Sequence, residues 1–266
     1  MKKGNAFKVV ISIVLGLAVL WTALLSFAFV YWYRTEADHR ANERQDVFVA
    51  GVPVLRENMY DVLGDGTVMY DNVSHKLTFC NAVIECEGPI VYSQRDLTMV
   101  FVGENKFLCT GDDAVAVYAS DGMLRKDLSF EGDGSLVIEV QGRMSTCGIV
   151  ADDLWIASDL SVSLSGGESS SVGLECSFLN IEKEKQVTVK VEPAEEAMGI
   201  YVRGDMTLQE NCVLNVDGSI LSTGTIIAEE NAAIQGNAPL RCNVFYDDGA
   251  AVAPEIDAVS GIHTMN

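Results

Sequence analysis

From Leu77 onward, short runs that alternate apolar with polar or small residues recur between turn-forming clusters. Leu97-Thr-Met-Val-Phe-Val102, Leu136-Val-Ile-Glu-Val140, Leu160-Ser-Val-Ser-Leu164, Val187-Thr-Val-Lys-Val191 and Cys212-Val-Leu-Asn-Val216 carry the period of two that marks a half-buried strand. A second, shorter column contains Leu128, Leu154-Trp-Ile156, Phe178-Leu179, Met206-Thr-Leu208 and Ala232-Ala-Ile234. A third is marked by glycine: Gly148, Gly173, Gly199 and Gly224 recur at near-constant spacing, each inside an apolar patch. Turn formers such as Gly132-Asp-Gly-Ser135, Ser165-Gly-Gly167 and Asp217-Gly-Ser219 separate the columns.

A fixed period of about 25 residues predicts a solenoid, and three short strands per period predict a three-faced one. The expected fold is all-β: a right-handed parallel β-helix of six to seven coils over residues 70–245. Between the columns there is no stretch long enough for the helical crossovers of a doubly wound sheet. The Leu-x-x-Leu-x-Leu-x-x-Asn pattern of leucine-rich repeats is absent as well. Stacked coils bury a continuous core that no single coil could bury alone. One repeat stands out: the step from position 116 to position 148 is longer than the rest.

The N-terminus follows a different pattern. The run from Val9 to Tyr33 is uncharged throughout, preceded by Lys2, Lys3 and Lys8 and ending in Tyr31, Trp32 and Tyr33. As a helix it would span ~37 Å, enough to cross a ~30 Å hydrocarbon core with some tilt. The lysines place residues 1–8 in the cytoplasm and the remainder outside, with the aromatic triplet at the outer interface. Lipid bilayer is therefore the partner of residues 9–33. Ser26-Phe-Ala28 also reads as a signal-peptidase site, which would release the remainder as a secreted protein. Residues 34–69 form a stem and N-terminal cap, with Pro53 and Gly64-Asp-Gly66 as punctuation, and residues 246–266 a C-terminal cap or tail.

Charge narrows the partners. The whole chain has 18 basic and 38 acidic residues, and three of the basic ones precede Arg34, so the exported part carries a net charge of −23. Such a surface repels nucleic acid and anionic lipid, whose binding rests on Lys and Arg. Seven cysteines lie at 80, 86, 109, 147, 176, 212 and 242. Counted from the glycine column, Cys147, Cys176, Cys212 and Cys242 fall at unlike positions. They read as buried free thiols used as small core residues.

Tyr70-Asp-Asn-Val-Ser-His-Lys-Leu-Thr-Phe-Cys-Asn-Ala-Val-Ile84 resembles the first coil of a family of Gram-positive bacterial cell-surface β-helix repeat proteins. Asp96-Leu-Thr-Met-Val-Phe-Val-Gly-Glu-Asn105 is similar to that family's next coil, and Gly199-Ile-Tyr-Val-Arg-Gly-Asp-Met-Thr-Leu208 to its recurring unit. The resemblance implies the fold and a surface location. Some relatives are labelled carbohydrate-binding, but the family offers no catalytic or ligand motif to carry over. The many cysteines and the long repeat from 116 to 148 depart from it.

Chemistry is sparse. The pectin-hydrolase type of β-helix enzyme needs clustered aspartates and a Gly-His-Gly context, and His39, His75 and His263 have no such context. Asp112-Asp113 and Asp152-Asp153 are the paired carboxylates of the coils, and in turns they serve their own backbone. Arg143, Arg203 and Lys126 show no lyase-like constellation with them. Neither EF-hand spacing nor the Gly-Gly-x-Gly-x-Asp repeat occurs, so no metal site and no cofactor are expected. Acids do recur after the glycine column, at Asp96, Asp121, Asp152 or Asp153, Asp205 and Glu229; stacked, they would repel unless solvated or bridged by a cation.

For ligand binding, the position two after each column glycine or its equivalent reads Tyr92, Tyr118, Val150, Glu175, Tyr201 and Ile226. Alternation points Tyr92, Tyr118 and Tyr201 outward, and the first two would form an aromatic ladder able to lie against a sugar ring. The same ladder would equally serve as cross-strand packing. The expected function is a non-catalytic, membrane-anchored surface protein offering an interaction or structural surface. Glycan binding through the tyrosines is the alternative, and a polysaccharide lyase or hydrolase a third. The partner would be a cell-wall or host polysaccharide, or another surface protein.

Overall fold

The alternating runs become strands whose apolar members share one interior. Within Asp159–Gly166, Leu160, Val162 and Leu164 are buried while Ser161 and Ser163 are half-buried. The computed structural model describes Ser26 and residues 46–192, 194–236, 240–247 and 250–252. From residue 46 on, the described chain contains strands and no helix. Ser26 apart, the expected membrane segment 9–33 and the tail beyond 252 lie outside the described residues. Among the described residues no helix is long and apolar enough to cross a membrane.

The described residues form two sheets, one of 14 strands and one of 10. In the smaller sheet Leu97, Leu128, Leu154, Leu179, Met206 and Ile226 follow one another in parallel register. The larger sheet contains two such series. Leu136, Leu160, Val187, Leu214 and Ile234 form one. Val91, Val117, Ile149, Leu174, Ile200, Ile220 and Leu240 form the other. Each repeat passes once through the smaller sheet and twice through the larger. Glu104–Ala119 and Ser135–Val150, 16 residues each, run through both series without a break. An all-β fold of parallel sheets with this recurrence is consistent with a solenoid.

Antiparallel strands cover part of the sheet ends. Val47–Val49 pairs antiparallel with Val91–Ser93, and Val68–Asp71 with Lys76–Cys80, so residues 47–71 cover the first edge of the smaller sheet and of the second series of the larger one, while Val83–Glu87 is a free edge strand among the described residues. Ala250–Val252 does the same for Val244–Asp247. Covered edges protect parallel sheets from pairing with other chains. Phe79, Phe101, Phe107 and Phe130 fill the N-terminal core, with Phe79 lying 5.6 Å from Phe101 and 5.0 Å from Phe107. Such pairs add ~0.5–1.5 kcal/mol each beyond the area they bury.

Register corrects several assignments. Leu97–Val102 belongs to the smaller sheet, opposite Leu128, and not with Leu136. Val187 faces Leu214, so Cys212 precedes its strand and is not its first residue. Gly224 is not the fourth column glycine: its N–H bonds the Gly204 carbonyl, and the following Thr225–Ala228 enters the smaller sheet. Ile226 therefore faces Met206 and is not an equivalent of Tyr201, while Ile234 lies in the larger sheet opposite Leu214. These corrections near the C-terminus have one cause. Ile200 faces Ile220 and Met206 faces Ile226, so the repeat is shorter there than in the glycine column. The long repeat is as expected, since Val117 faces Ile149, and its excess loops out between Ser120 and Lys126.

Candidate functional site

The tyrosine row is real for most of its length. On the second series of the larger sheet, Phe48, Tyr92, Tyr118, Val150, Glu175, Tyr201 and Leu221 follow one another in register. The residues before them (Val91, Val117, Ile149, Leu174 and Ile200) are fully buried, so the row faces outward. Its three aromatic members at the N-terminal end pack on one another. Tyr92 and Tyr118 stack with centroids 5.8 Å apart and planes at 13°, and Phe48 lies 5.8 Å from Tyr92 at 30°. Near-parallel rings at this spacing are offset along the row, and Tyr92, with a ring on either side, is half-buried. That hydroxyl accepts the Gln94 amide at 3.2 Å. Tyr201 stands apart, two registers beyond Val150, with the Arg203 guanidinium 6.0 Å from its ring centre.

Glu175 organises the middle of the row. It pairs with Arg125, which reaches back from the 120–126 loop, and with Arg203 at 2.9 Å. The Arg125 and Glu175 side chains are only about a fifth exposed (20% and 22%). The loop that carries Arg125 is shaped by Asp121, whose carboxylate accepts the N–H groups of Met123 and Leu124 and pairs with Lys126 at 2.7 Å. The Lys126 hydrogen bond and those two N–H groups hold the Asp121 carboxyl well below its ordinary value. Asp121 thus lies in the loop and not in an acid column, and Met123 and Leu124 project from it into solvent.

The acid column itself consists of Asp96, Asp127 and Asp153. Asp127 N–H donates to the Asp96 carboxylate (3.1 Å), and Asp153 N–H to that of Asp127 (3.2 Å). Asp205 accepts Thr225 N–H in the same way at 2.7 Å. The carboxylates of Asp96, Asp127 and Asp205 thereby each satisfy a backbone donor one repeat on, at the turn leading into the smaller sheet. Carboxylate oxygens of Asp127, Asp152 and Asp153 lie within 4.8 Å of one another. Burial first, then the charges of Asp127 and Asp152, raise the Asp153 carboxyl above its ordinary value. These three could each offer one oxygen to a hard cation, fewer than the six to eight that Ca²⁺ takes.

On the outward face beside this column are two aromatic rings that the tyrosine reasoning missed. Phe178 faces Asp153 in register and is 50% exposed; Trp155, two residues along from Asp153, is 47% exposed. Phe178 rests on the backbone of Gly204, where a Cβ would meet its ring at 2.8 Å. The signal was present, since both residues were placed in the second column, but only the register shows that they share its outer face.

A groove of about 510 Å³ crosses the first series of the larger sheet, lined by Glu139, Gln141, Ser163, Lys190, Glu192 and Asp217 among others. Two of its charged groups have local partners: Glu139 pairs with Lys106 (2.7 Å), and Glu192 accepts Gly166 N–H (3.3 Å). The remaining candidates are similarly engaged. Asp112 pairs with Arg143 (2.9 Å), Asp113 accepts the Ser145 hydroxyl (2.6 Å), and His75 Nδ1 lies 3.3 Å from the Tyr70 hydroxyl.

All seven cysteines are thiols, but they are not all in unlike positions. Cys86 and Cys109 face each other in register on adjacent strands. Burial pushes Cys109, Cys147 and Cys176 up to about 12 and Cys212 up to about 11. Comparison of the chain with protein-family models, with curated proteins and with solved structures finds no match.

Proposed function

We propose that the chain is a membrane-anchored cell-surface protein whose ectodomain is a closed, right-handed, three-faced β-helix acting as a non-catalytic interaction or structural surface. The N-terminal lysines and the uncharged run 9–33 supply the anchor, and the acidic remainder faces the outside. The observation that supports this reading best is the outward row from Phe48 to Leu221. It runs in register along the second series; Phe48, Tyr92 and Tyr118 contact one another, Tyr92 also bonds Gln94, and Glu175 and Tyr201 contact the arginines beside them. A surface so consolidated suits a rigid spacer or docking face. Protease applied to intact cells making the full chain, tagged at both ends, tests it. Loss of the C-terminal tag with protection of the N-terminal tag is expected. Release of a fragment beginning after Ala28 would instead favour secretion.

Glycan binding is the second reading, and Trp155 and Phe178 favour it more than the tyrosines do. Their rings are about half exposed, and Asp153 beside them could accept sugar hydroxyls. Polysaccharide pull-down by wild type, Trp155→Ala/Phe178→Ala and Tyr92→Ala/Tyr118→Ala separates the two sites. Retention lost only in the first variant would support this site, and equal retention by all three would reject glycan binding on either.

A further inference from the structure

The interior column that contains Val140, Leu164 and Val191 begins with two thiols, Cys86 and Cys109. They face each other on adjacent parallel strands, where α-carbons stand ~4.8 Å apart, inside the ~4.4–6.8 Å window that a disulfide requires. Both sulfurs point the same way: Cys86 Sγ lies 3.2 Å and Cys109 Sγ 3.1 Å from the Gly88 carbonyl oxygen. Gly88 turns the chain at φ +94°, with open space where its side chain would be. Cys109 is fully buried, whereas Cys86 is only half-buried. Only one of the pair therefore meets a reagent from solvent, and the other waits behind it.

We propose that Cys86 and Cys109 form a dithiol that closes into a disulfide between adjacent strands when a small-molecule disulfide is the oxidant. The Cys86 thiolate attacks one sulfur of the oxidant, forming a mixed disulfide and releasing one equivalent of the reduced thiol. Cys109, once it gives up the proton that burial holds on its sulfur, then attacks the Cys86 sulfur as a thiolate, forming the intrachain S–S bond and displacing the second equivalent. Two protein thiols lose two electrons and two protons in all, and the oxidant is reduced to two thiols. The bond would staple the first two repeats by tying the edge strand Val83–Glu87 to its one partner among the described residues, Glu104–Ala119.

The test incubates the purified full chain, in detergent, with excess oxidised glutathione, alkylates the remaining thiols and maps the digest by mass spectrometry. A linked pair of peptides containing Cys86 and Cys109 is expected, with Cys80, Cys147, Cys176, Cys212 and Cys242 outside that linkage. Cys109→Ser should hold glutathione on Cys86, because no resolving thiol remains. Thermal unfolding of the oxidised form should lie ~5–10 °C above that of the reduced form. A wild-type chain that accumulates glutathione on Cys86 without closing, leaves both cysteines alkylated, or links either to another cysteine overturns the proposal. The mapping is read on wild type, so it does not depend on the variant folding.

Discussion

Gly148 faces Val162 across the interior, and a methyl group on Gly148 would come within 2.5 Å of Val162 Cγ1. The relationship recurs at Gly173 with Val189 and at Gly199 with Val216, and these valines are themselves in register. The glycine period thus arises because two series of strands converge and leave no room for a Cβ. Gly148→Ala should lower stability by about 1–3 kcal/mol, the range for overpacking a filled core. Val162→Ala in the same chain should restore only part of it, because the Gly173 carbonyl also blocks the site. Urea unfolding of the two variants checks both statements; full restoration would refute the backbone contribution.

Asn105 ties three repeats together from inside a corner, at 2% exposure. Its Oδ1 accepts Ala82 N–H at 2.9 Å, and its Nδ2 donates to the Gly103 and Ser135 carbonyls at 3.3 and 3.2 Å. Asn105→Ala leaves the buried Ala82 N–H without its acceptor, while the Gly103 carbonyl keeps the Ser135 N–H, so a loss of about 1–3 kcal/mol is expected. Asn105→Asp should be no better, since a carboxylate cannot donate to the two carbonyls. Denaturation midpoints of the two variants decide this.

The strands and their inward faces were legible because alternation in strands such as Leu160–Leu164 survives in any parallel stack. Register was legible only while the repeat kept one length. Gly224 continues the spacing of Gly148, Gly173 and Gly199, yet the chain at Gly224 has already entered the smaller sheet because the repeat shortens before it. A side chain's outward direction could be read from a single strand, as at Tyr92 and Tyr118. Whether its ring face stays open depends on the neighbour one repeat away, which is why Tyr92 is covered while Trp155 and Phe178 keep large exposed areas. The Cys86 and Cys109 pair escaped notice for the same reason: its register is set by the first repeats, ahead of the glycine column.

The Arg125–Glu175 pair should matter more than the other ion pairs of the described residues. Arg125 Nη1 is buried without a hydrogen-bond partner among them, so Glu175 is the principal compensation for that charge. Glu175→Gln should destabilise the protein by about 1–2 kcal/mol and loosen the 120–126 loop. Arg143→Ala is the control, because its pair with Asp112 is 69% and 66% exposed and should cost about 0.5 kcal/mol or less. Urea titrations at low and high salt distinguish the pairs: the Arg143 effect should vanish in salt and the Glu175 effect should persist.

Asp153 gives a pH dependence of opposite sign to that of an ion-paired carboxylate. Burial and the neighbouring Asp127 and Asp152 raise its carboxyl above the ordinary value of 3.8, so the folded chain binds this proton more tightly than the unfolded chain. Below 3.8 both states are protonated and the site costs nothing. As pH rises from there through the raised value, ionisation works increasingly against the fold, and above it the cost is constant. Asp153→Asn should therefore be slightly more stable than wild type at pH 7, by about 0.5 kcal/mol or less given solvent screening. At pH 3 the two should coincide. The bond to the Asp127 carboxylate is donated by the backbone N–H of residue 153 and survives the substitution, so the comparison isolates the Asp153 carboxylate. Paired urea titrations at the two pH values measure it, and an asparagine variant less stable at pH 7 would show that the carboxylate stabilises this turn.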